Sequence, residues 1–513
     1  MAEEKVSADA KAAFVALLVL AAVGALIDSG PLGWVLAPIV ILLAFFAIAR
    51  APLKHTMLVL MFFALTLENP AEMPAAGHWK SPFERVGGLL LMHFKASLGG
   101  WMFFGGMDLM LLAAAAALFL RGRSTAKGIA TPKPMIRLAQ LTLATILFVW
   151  LIGKLRAGGE PSMALWQIDR VMYLPSVFLL CQAAFRGPRD YLAVGKVILA
   201  AATLRALQAI YVRAIVPAEI DPQTGESSLA YATTHHDSML FGLGAVVLVA
   251  LVLQRVGKGA TRLTLVLMPV LVGGMIANDR RMVWVQIILV FAALYLMTET
   301  NATKRKLQRA LKFLGPVGAI YVVAGWSSKA ALFKPVQIIR SAVDSDSDAS
   351  TAWRDVENFD LIYTIRQFPI FGTGWGHGFW EVWPLPPIDY SLERYIPHNS
   401  ILGLWCYGGF LGYTGLTLLW VGGVYFGVRA YHHCTKPLEK AAALASFASV
   451  LIYYVQCFGD MGLGSWTGVF TVGPAMAVAC KLAVSSGAWP IAARASKATG
   501  SRASGVGFRS RTS

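Results

Sequence analysis

The chain has 513 residues, 57% of them hydrophobic and only 14% charged, with a mean hydropathy of +0.60. A water-soluble protein of this length carries about a quarter charged residues, so a soluble enzyme is excluded and an integral membrane protein is indicated. The formal net charge of +17 does not call for nucleic acid as a partner: the positive residues fall in short loops and the C-terminal tail, where topology and anionic lipid account for them.

Apolar runs of about 17 to 25 residues recur without the alternation of a barrel strand, so the fold class is all-α and polytopic. The opening Met1-Ala-Glu-Glu-Lys5 lacks a convincing cleavage signature and predicts a retained first helix. Spans are expected at about 11–27, 32–49, 55–67, 101–120, 138–157, 166–185, 191–212, 237–254, 261–277, 283–298, 312–325, 400–427, 441–458 and 465–484, about fourteen in all.

Loop charges give an orientation. One set of loops carries Arg50 and Lys54; Arg121, Arg123, Lys127, Lys133 and Arg137; Arg186 and Arg189; Arg255, Lys258 and Arg262; Lys304, Arg305, Lys306, Arg309 and Lys312; and Arg429, Lys436 and Lys440. The positive-inside bias assigns these, with both termini, to the cytoplasm. The opposite loops hold Glu68, Glu72 and Glu84, then Glu219, Asp221, Glu226 and Asp237, then Asp344, Asp346 and Asp348. One basic cluster breaks the rule: Asn278-Asp-Arg-Arg281 sits on the outer side between two spans. Arg280 and Arg281 stand there at a helix entrance, where guanidinium can hold a phosphate bidentately, although snorkelling anchors are an equal reading.

The longest outer segment runs from about 326 to 398. Its middle, residues 351–368, places Trp353, Val356, Leu361, Tyr363, Ile365 and Phe368 among charges, which predicts an amphipathic helix lying on the outer surface. Arg354 and Arg366 add positive charge, with Asp355, Glu357 and Asp360 near enough in sequence to pair with them. Pro369-Ile-Phe-Gly-Thr-Gly-Trp-Gly-His-Gly378 is a tight glycine-rich turn with neither a P-loop lysine nor a preceding strand, so it is expected to fold the loop back over the membrane face.

The segment ends at Tyr395-Ile-Pro-His-Asn-Ser400, where a new apolar helix begins. Pro397 sits well just before a helix and Asn399 or Ser400 can cap it, so His398 is presented at the helix mouth. A helix N-terminus favours neutral imidazole, leaving one ring nitrogen to accept a proton. Taken alone, such a histidine is more often a plain polar residue at the interface. Gly408, Gly409 and Gly412 are expected to form a small face for close helix packing. His235-His-Asp237 reads as a polar helix cap rather than a metal site. Asp169, Arg170, Lys196 and Arg205 lie within or beside spans, where charges must pair and could line a cavity; they carry the rival transporter reading. The five cysteines suggest no disulfide or zinc framework, and residues 485–513, with abundant Ser, Ala, Gly and Arg, predict a disordered cytoplasmic tail.

With these residues in place, the chain resembles the O-antigen ligase and polymerase superfamily of bacterial envelope glycosyltransferases. His398-Asn-Ser-Ile-Leu402 with Gly409 and Gly412 resembles that family's His-Asn-x-x-Leu run and later glycines. Pro369-Ile-Phe-Gly-Thr-Gly-Trp-Gly376 resembles its Pro-Leu-x-Gly-x-Gly loop, and Asn278-Asp-Arg-Arg-Met-Val-Trp284 its Ser-Arg-x-x-Trp/Leu helix entrance. The resemblance spans roughly residues 230 to 425. It implies a GT-C-like membrane fold in the inner membrane, with a periplasmic site that needs no cofactor and no metal. There a glycan would pass from an undecaprenyl-diphosphate donor to a saccharide or lipid-linked acceptor. The implied roles are a base at His398, diphosphate contacts from Arg281, Arg280 and Arg354, and support from Asn399, Gly372, Gly374 and Gly376. Trp284 stands at the family's spacing from Arg281, and the Trp353-Arg354 order is the reverse of the family's. Ligase and polymerase are not separated by these motifs; a lipid-linked sugar flippase is the alternative. The implied organisation is N-terminal helices (1–230), helices bearing the arginine entrance (231–325), the large outer loop (326–398), C-terminal helices (399–484) and the tail (485–513).

Overall fold

The computed structural model describes the backbone of residues 51–67, 105–120, 128–187, 190–216, 232–328, 330–333, 349–385, 394–460 and 462–490, with a few isolated positions between these runs. The described residues form helices and no strand: α1 (Leu53–Thr66), α2 (Gly106–Leu120), α3 (Lys133–Leu155), α4 (Pro161–Ala184), α5 (Asp190–Ile215), α6 (Asp237–Leu253), α7 (Lys258–Asn278), α8 (Arg281–Met297), α9 (Ala302–Gly325), α10 (Ala349–Gln367), α11 (Ser400–His433), α12 (Pro437–Gly459) and α13 (Trp466–Ser485). The expected spans at 11–27 and 32–49, the acidic segment 344–348 and the tail beyond Pro490 lie outside the described residues.

Each of the other twelve expected spans coincides with a helix. Six of them, α3, α5, α7, α11, α12 and α13, are long and apolar enough to cross a membrane, and α1, α2, α6 and α8 are shorter apolar helices. Among the described residues this is a helical membrane protein with six full-length candidate spans. Two runs fall short for a chemical reason: α4 contains Asp169 and Arg170, and α9 opens with five basic residues.

The core is built around α13, which is buried on nearly every side and packs against α1, α4, α11 and α12. Its glycines and alanines permit that enclosure, since small side chains let helix backbones approach closely. Two polar pairs tie helices together inside the bundle. Arg205 of α5 grips Asp237 of α6, with Nη2 2.6 Å from Oδ2 and Nε 3.1 Å from Oδ1, and the side chains are 1% and 2% exposed. Gln286 of α8 donates to Gln456 of α12 at 2.6 Å. Arg205 is thus sealed rather than lining a cavity, and the Asp237 carboxylate also accepts from the Thr234 amide. All five cysteines are free and buried.

Helix α11 differs from expectation at its glycines. Gly409 has φ 58° and ψ −166°, a conformation open essentially to glycine alone, so the helix is broken there. The break leaves unpaired backbone groups that cannot be left bare inside an apolar bundle. The glycine-rich turn fills them: Thr373 N and Gly374 N donate to the carbonyls of Cys406 and Tyr407, and Phe410 N and Leu411 N donate to those of Pro369 and Ile370. A Cβ on Gly409 would fall 2.3 Å from Gly372 N, so both strands of this contact must be glycine. Gly412 keeps the expected packing role, facing Val149 of α3, and Gly415, one turn on, packs against Thr145.

Candidate active site

The mouth of α11 is organised by its cap. Asn399 Oδ1 accepts from Leu402 N at 3.1 Å, completing the first turn, while its Nδ2 donates to Asn358 Oδ1 of α10 at 3.0 Å. The preceding residue, His398, is held by α10 as well. Glu357 Oε1 accepts from the His398 amide at 3.0 Å and lies 3.3 Å from His398 Nδ1; the ring meets the edge of Trp353 with centroids 4.8 Å apart. A carboxylate on Nδ1 selects the tautomer with the proton there, so Nε2 carries the lone pair. The His398 side chain is 17% exposed and Glu357 is fully buried.

The amphipathic helix predicted over 351–368 is present as α10, but its buried face is not the apolar one alone. Glu357, Asp360, Leu361 and Thr364 are each 0% exposed, whereas Tyr363 is exposed. The expected pairing of Glu357 and Asp360 with Arg354 and Arg366 is replaced by backbone partners. Asp360 Oδ1 accepts from Val382 N and Trp383 N, both at 3.1 Å, and Thr364 Oγ1 accepts from Trp380 N. Charged residues turn inward here because α10 must anchor an irregular segment whose amides need acceptors. Burial raises the Asp360 carboxyl above the usual carboxylate range, against the lowering effect of the two amides.

A second cluster lies at the end of α12. The buried Asp460 follows the last helical residue, and Arg354 Nη2 lies 3.8 Å from its Oδ1. Burial pushes this carboxyl up, yet the combined field of His235, Arg354, Arg280 and His236 holds it at about 2. Four cationic or protonatable groups from three chain segments therefore surround one carboxylate. The arrangement is fixed from behind. Asn278, the last residue of α7, accepts from Thr233 N at 2.9 Å and donates to the Thr234 carbonyl at 3.1 Å, setting the chain just ahead of the two histidines. Asp279 then takes the left-handed conformation (φ 52°), turning the chain so that Arg280 caps α8 and Arg281 begins it. Of the three expected diphosphate ligands, Arg354 lies against Asp460 and the charge of Arg280 acts on the same carboxylate, while Arg281 stands half-buried in the first turn of α8.

The supporting glycines act through the backbone. Every amide from Gly372 to Gly376 donates to a protein acceptor: Phe368 O, Cys406 O, Tyr407 O, Val149 O and Gln167 Oε1 in turn. None is left to cradle a phosphate. The Trp375 indole is buried and donates to Ile146 O of α3 at 3.0 Å, and Gln167 Nε2 spans the carbonyls of His377 and Tyr395. Through Tyr395 this clamp fixes the approach to His398.

Two parts of the site escaped the sequence reading. In sequence Glu357 is one of several acids in the segment, and its recurrence with Asp360, Leu361 and Thr364 on one helical face is the available signal. Asp460 carries a weaker signal, a lone acid between Gly459 and Gly462 at the end of an apolar helix. No protein-family model matches the chain, and no curated protein matches it.

Proposed function

We propose that the protein is a GT-C-like membrane glycosyltransferase that moves a glycan from a polyprenyl-diphosphate donor to a saccharide hydroxyl on the outer face of the membrane. The observation that carries this reading is the position of α10. Trp353 and Glu357 hold His398, and Arg354, on the same helix, reaches into the group around Asp460 and Arg280. A base and a cationic cluster are thus braced by one helix.

Attack of a hydroxyl on an anomeric carbon needs an acceptor for the hydroxyl proton and positive charge for the departing diphosphate. His398 Nε2 takes the proton in this scheme. Arg280 and Arg354, with Arg281 at the entrance of α8, stabilise the charge that develops on the leaving oxygen. A single displacement inverts the anomeric centre and uses no covalent nucleophile. The transporter alternative would need functional charge deep in the bundle, where Arg205 is already committed to Asp237.

The test is transfer by the purified protein in detergent from a lipid-diphosphate-linked oligosaccharide, with chelator present and His398→Ala alongside. The expected result is glycan transfer that falls by about 10²- to 10⁴-fold in the variant. A ladder of lipid-linked products identifies a polymerase, and one shifted band requiring a separate acceptor identifies a ligase. Undiminished transfer by a well-folded His398→Ala protein overturns the mechanism.

A further inference from the structure

Helix α9 is out of keeping with the rest of the bundle. It carries five basic residues in its first eleven, no acid in its first turn, and buries little beyond Lys304 and Gly325. Lys304 is accounted for structurally: its Nζ donates to Thr298 O at 2.5 Å and lies over the Tyr295 ring. Arg305, Lys306 and Lys312 are exposed, as is Arg309, and none of the four has an ion pair among the described residues.

Two electrostatic penalties coincide there. The positive end of a helix dipole disfavours cations, and Arg305, Arg309 and Lys312 share one face at spacings of four and three, where like charges repel. Both penalties reverse sign if an anion sits against that face. These residues line an open groove with Gln308 and Tyr295. Immediately beyond it the helix is apolar on its outward side, with Phe313 78%, Val317 62%, Ile320 69% and Val323 78% exposed. A phosphate in the groove would have its acyl chains lying along that apolar stretch.

We infer that the basic first half of α9, with Tyr295, is a binding site for the headgroup of an anionic phospholipid whose chains run along the second half of the helix. Free phosphate satisfies only the first half of this description; a lipid satisfies both. The site is independent of His398 and of the transfer reaction.

Native mass spectrometry of the full-length protein in detergent, titrated with phosphatidylglycerol and with phosphatidylcholine, tests the inference. Wild type is expected to retain the anionic lipid with about a tenfold or greater preference. Arg305→Gln with Arg309→Gln should abolish that preference, whereas Lys258→Gln with Arg262→Gln, which removes equal charge at the start of α7, should keep it. Equal loss in both double variants overturns the site in favour of a diffuse positive surface. Displacement of the lipid by millimolar inorganic phosphate overturns the lipid assignment. If the α9 double variant does not elute as a single species, Arg309→Gln alone should reduce the preference about threefold, and an unchanged preference overturns the site.

Discussion

Glu357 is the residue on which the proposed chemistry turns, because one of its oxygens engages both the amide and the imidazole of His398. Its other oxygen is buried without a hydrogen-bond partner among the described residues, a costly arrangement unless the carboxylate is needed. Replacing it by glutamine keeps the shape but offers a dipole where a charge stood, and allows the amide to turn its NH2 towards Nδ1. Glu357→Gln is therefore expected to lower kcat by on the order of 10²-fold through misplacement of the base, with KM for the donor little changed. Glu357→Asp keeps the acceptor at shorter reach and should recover part of the loss. Unfolding would also lower apparent kcat at constant KM, so the kinetics are normalised to the fraction of protein eluting as a single folded species, and the loss should persist per folded molecule. An equal effect of the glutamine and aspartate variants would assign Glu357 a packing role instead.

At the scale of the element, the junction of α11 with the glycine-rich turn decides how firmly that residue geometry is held. Gly374 has φ +84°, and a Cβ there would fall 2.2 Å from Gly153 N of α3, whereas Gly158 has φ +86° with nothing within 4 Å. Both positions strain an alanine, but only Gly374 also forces two backbones apart. Gly374→Ala should cost about 2 kcal/mol more than Gly158→Ala and lower the melting temperature by several degrees further. Thermal unfolding in detergent measures the difference, and equal shifts would mean the turn gives way easily. This junction also marks where sequence reading stopped. Periodicity placed twelve helices, since an apolar run in a membrane has few alternatives to helix. Pro397, His398 and Asn399 were legible because capping is local, and Asn399 caps as its neighbours predict. The sequence around Gly409 predicts a smooth packing face rather than a break, because the cause of the break lies about 40 residues away, in the turn that supplies the missing hydrogen bonds. Likewise Glu357 and Asp460 are defined by partners remote in sequence, and the amphipathic pattern of 351–368 gives no sign that Glu357 and Asp360 lie on its buried face while Asp355 and Arg366 stay exposed.

For the whole molecule, the charge bias of the loops makes the prediction on which the outer-face reaction depends: α10 and the 377–385 segment lie outside, and the α11–α12 turn lies in the cytoplasm. The burial of all five native cysteines makes this testable with little preparation. Thiol labelling requires an accessible thiolate, and the native cysteine nearest the proposed cytoplasmic probe, Cys434, is 2% exposed with burial pushing its thiol up to about 11. The wild-type background should accordingly be low with a membrane-impermeant maleimide. Trp383 is 62% exposed and the Lys436 side chain 75% exposed, so a cysteine at either position is within reach of reagent on its own side. Trp383→Cys is expected to label in intact cells, and Lys436→Cys only after the membrane is permeabilised. The reverse pattern would put His398 and its cation cluster on the side where the basic loops were assigned, and would require a donor presented at the opposite leaflet. Labelling of both in intact cells would mean that the 377–385 segment and the α11–α12 turn share one face, and would overturn the assignment of α11 as a single crossing.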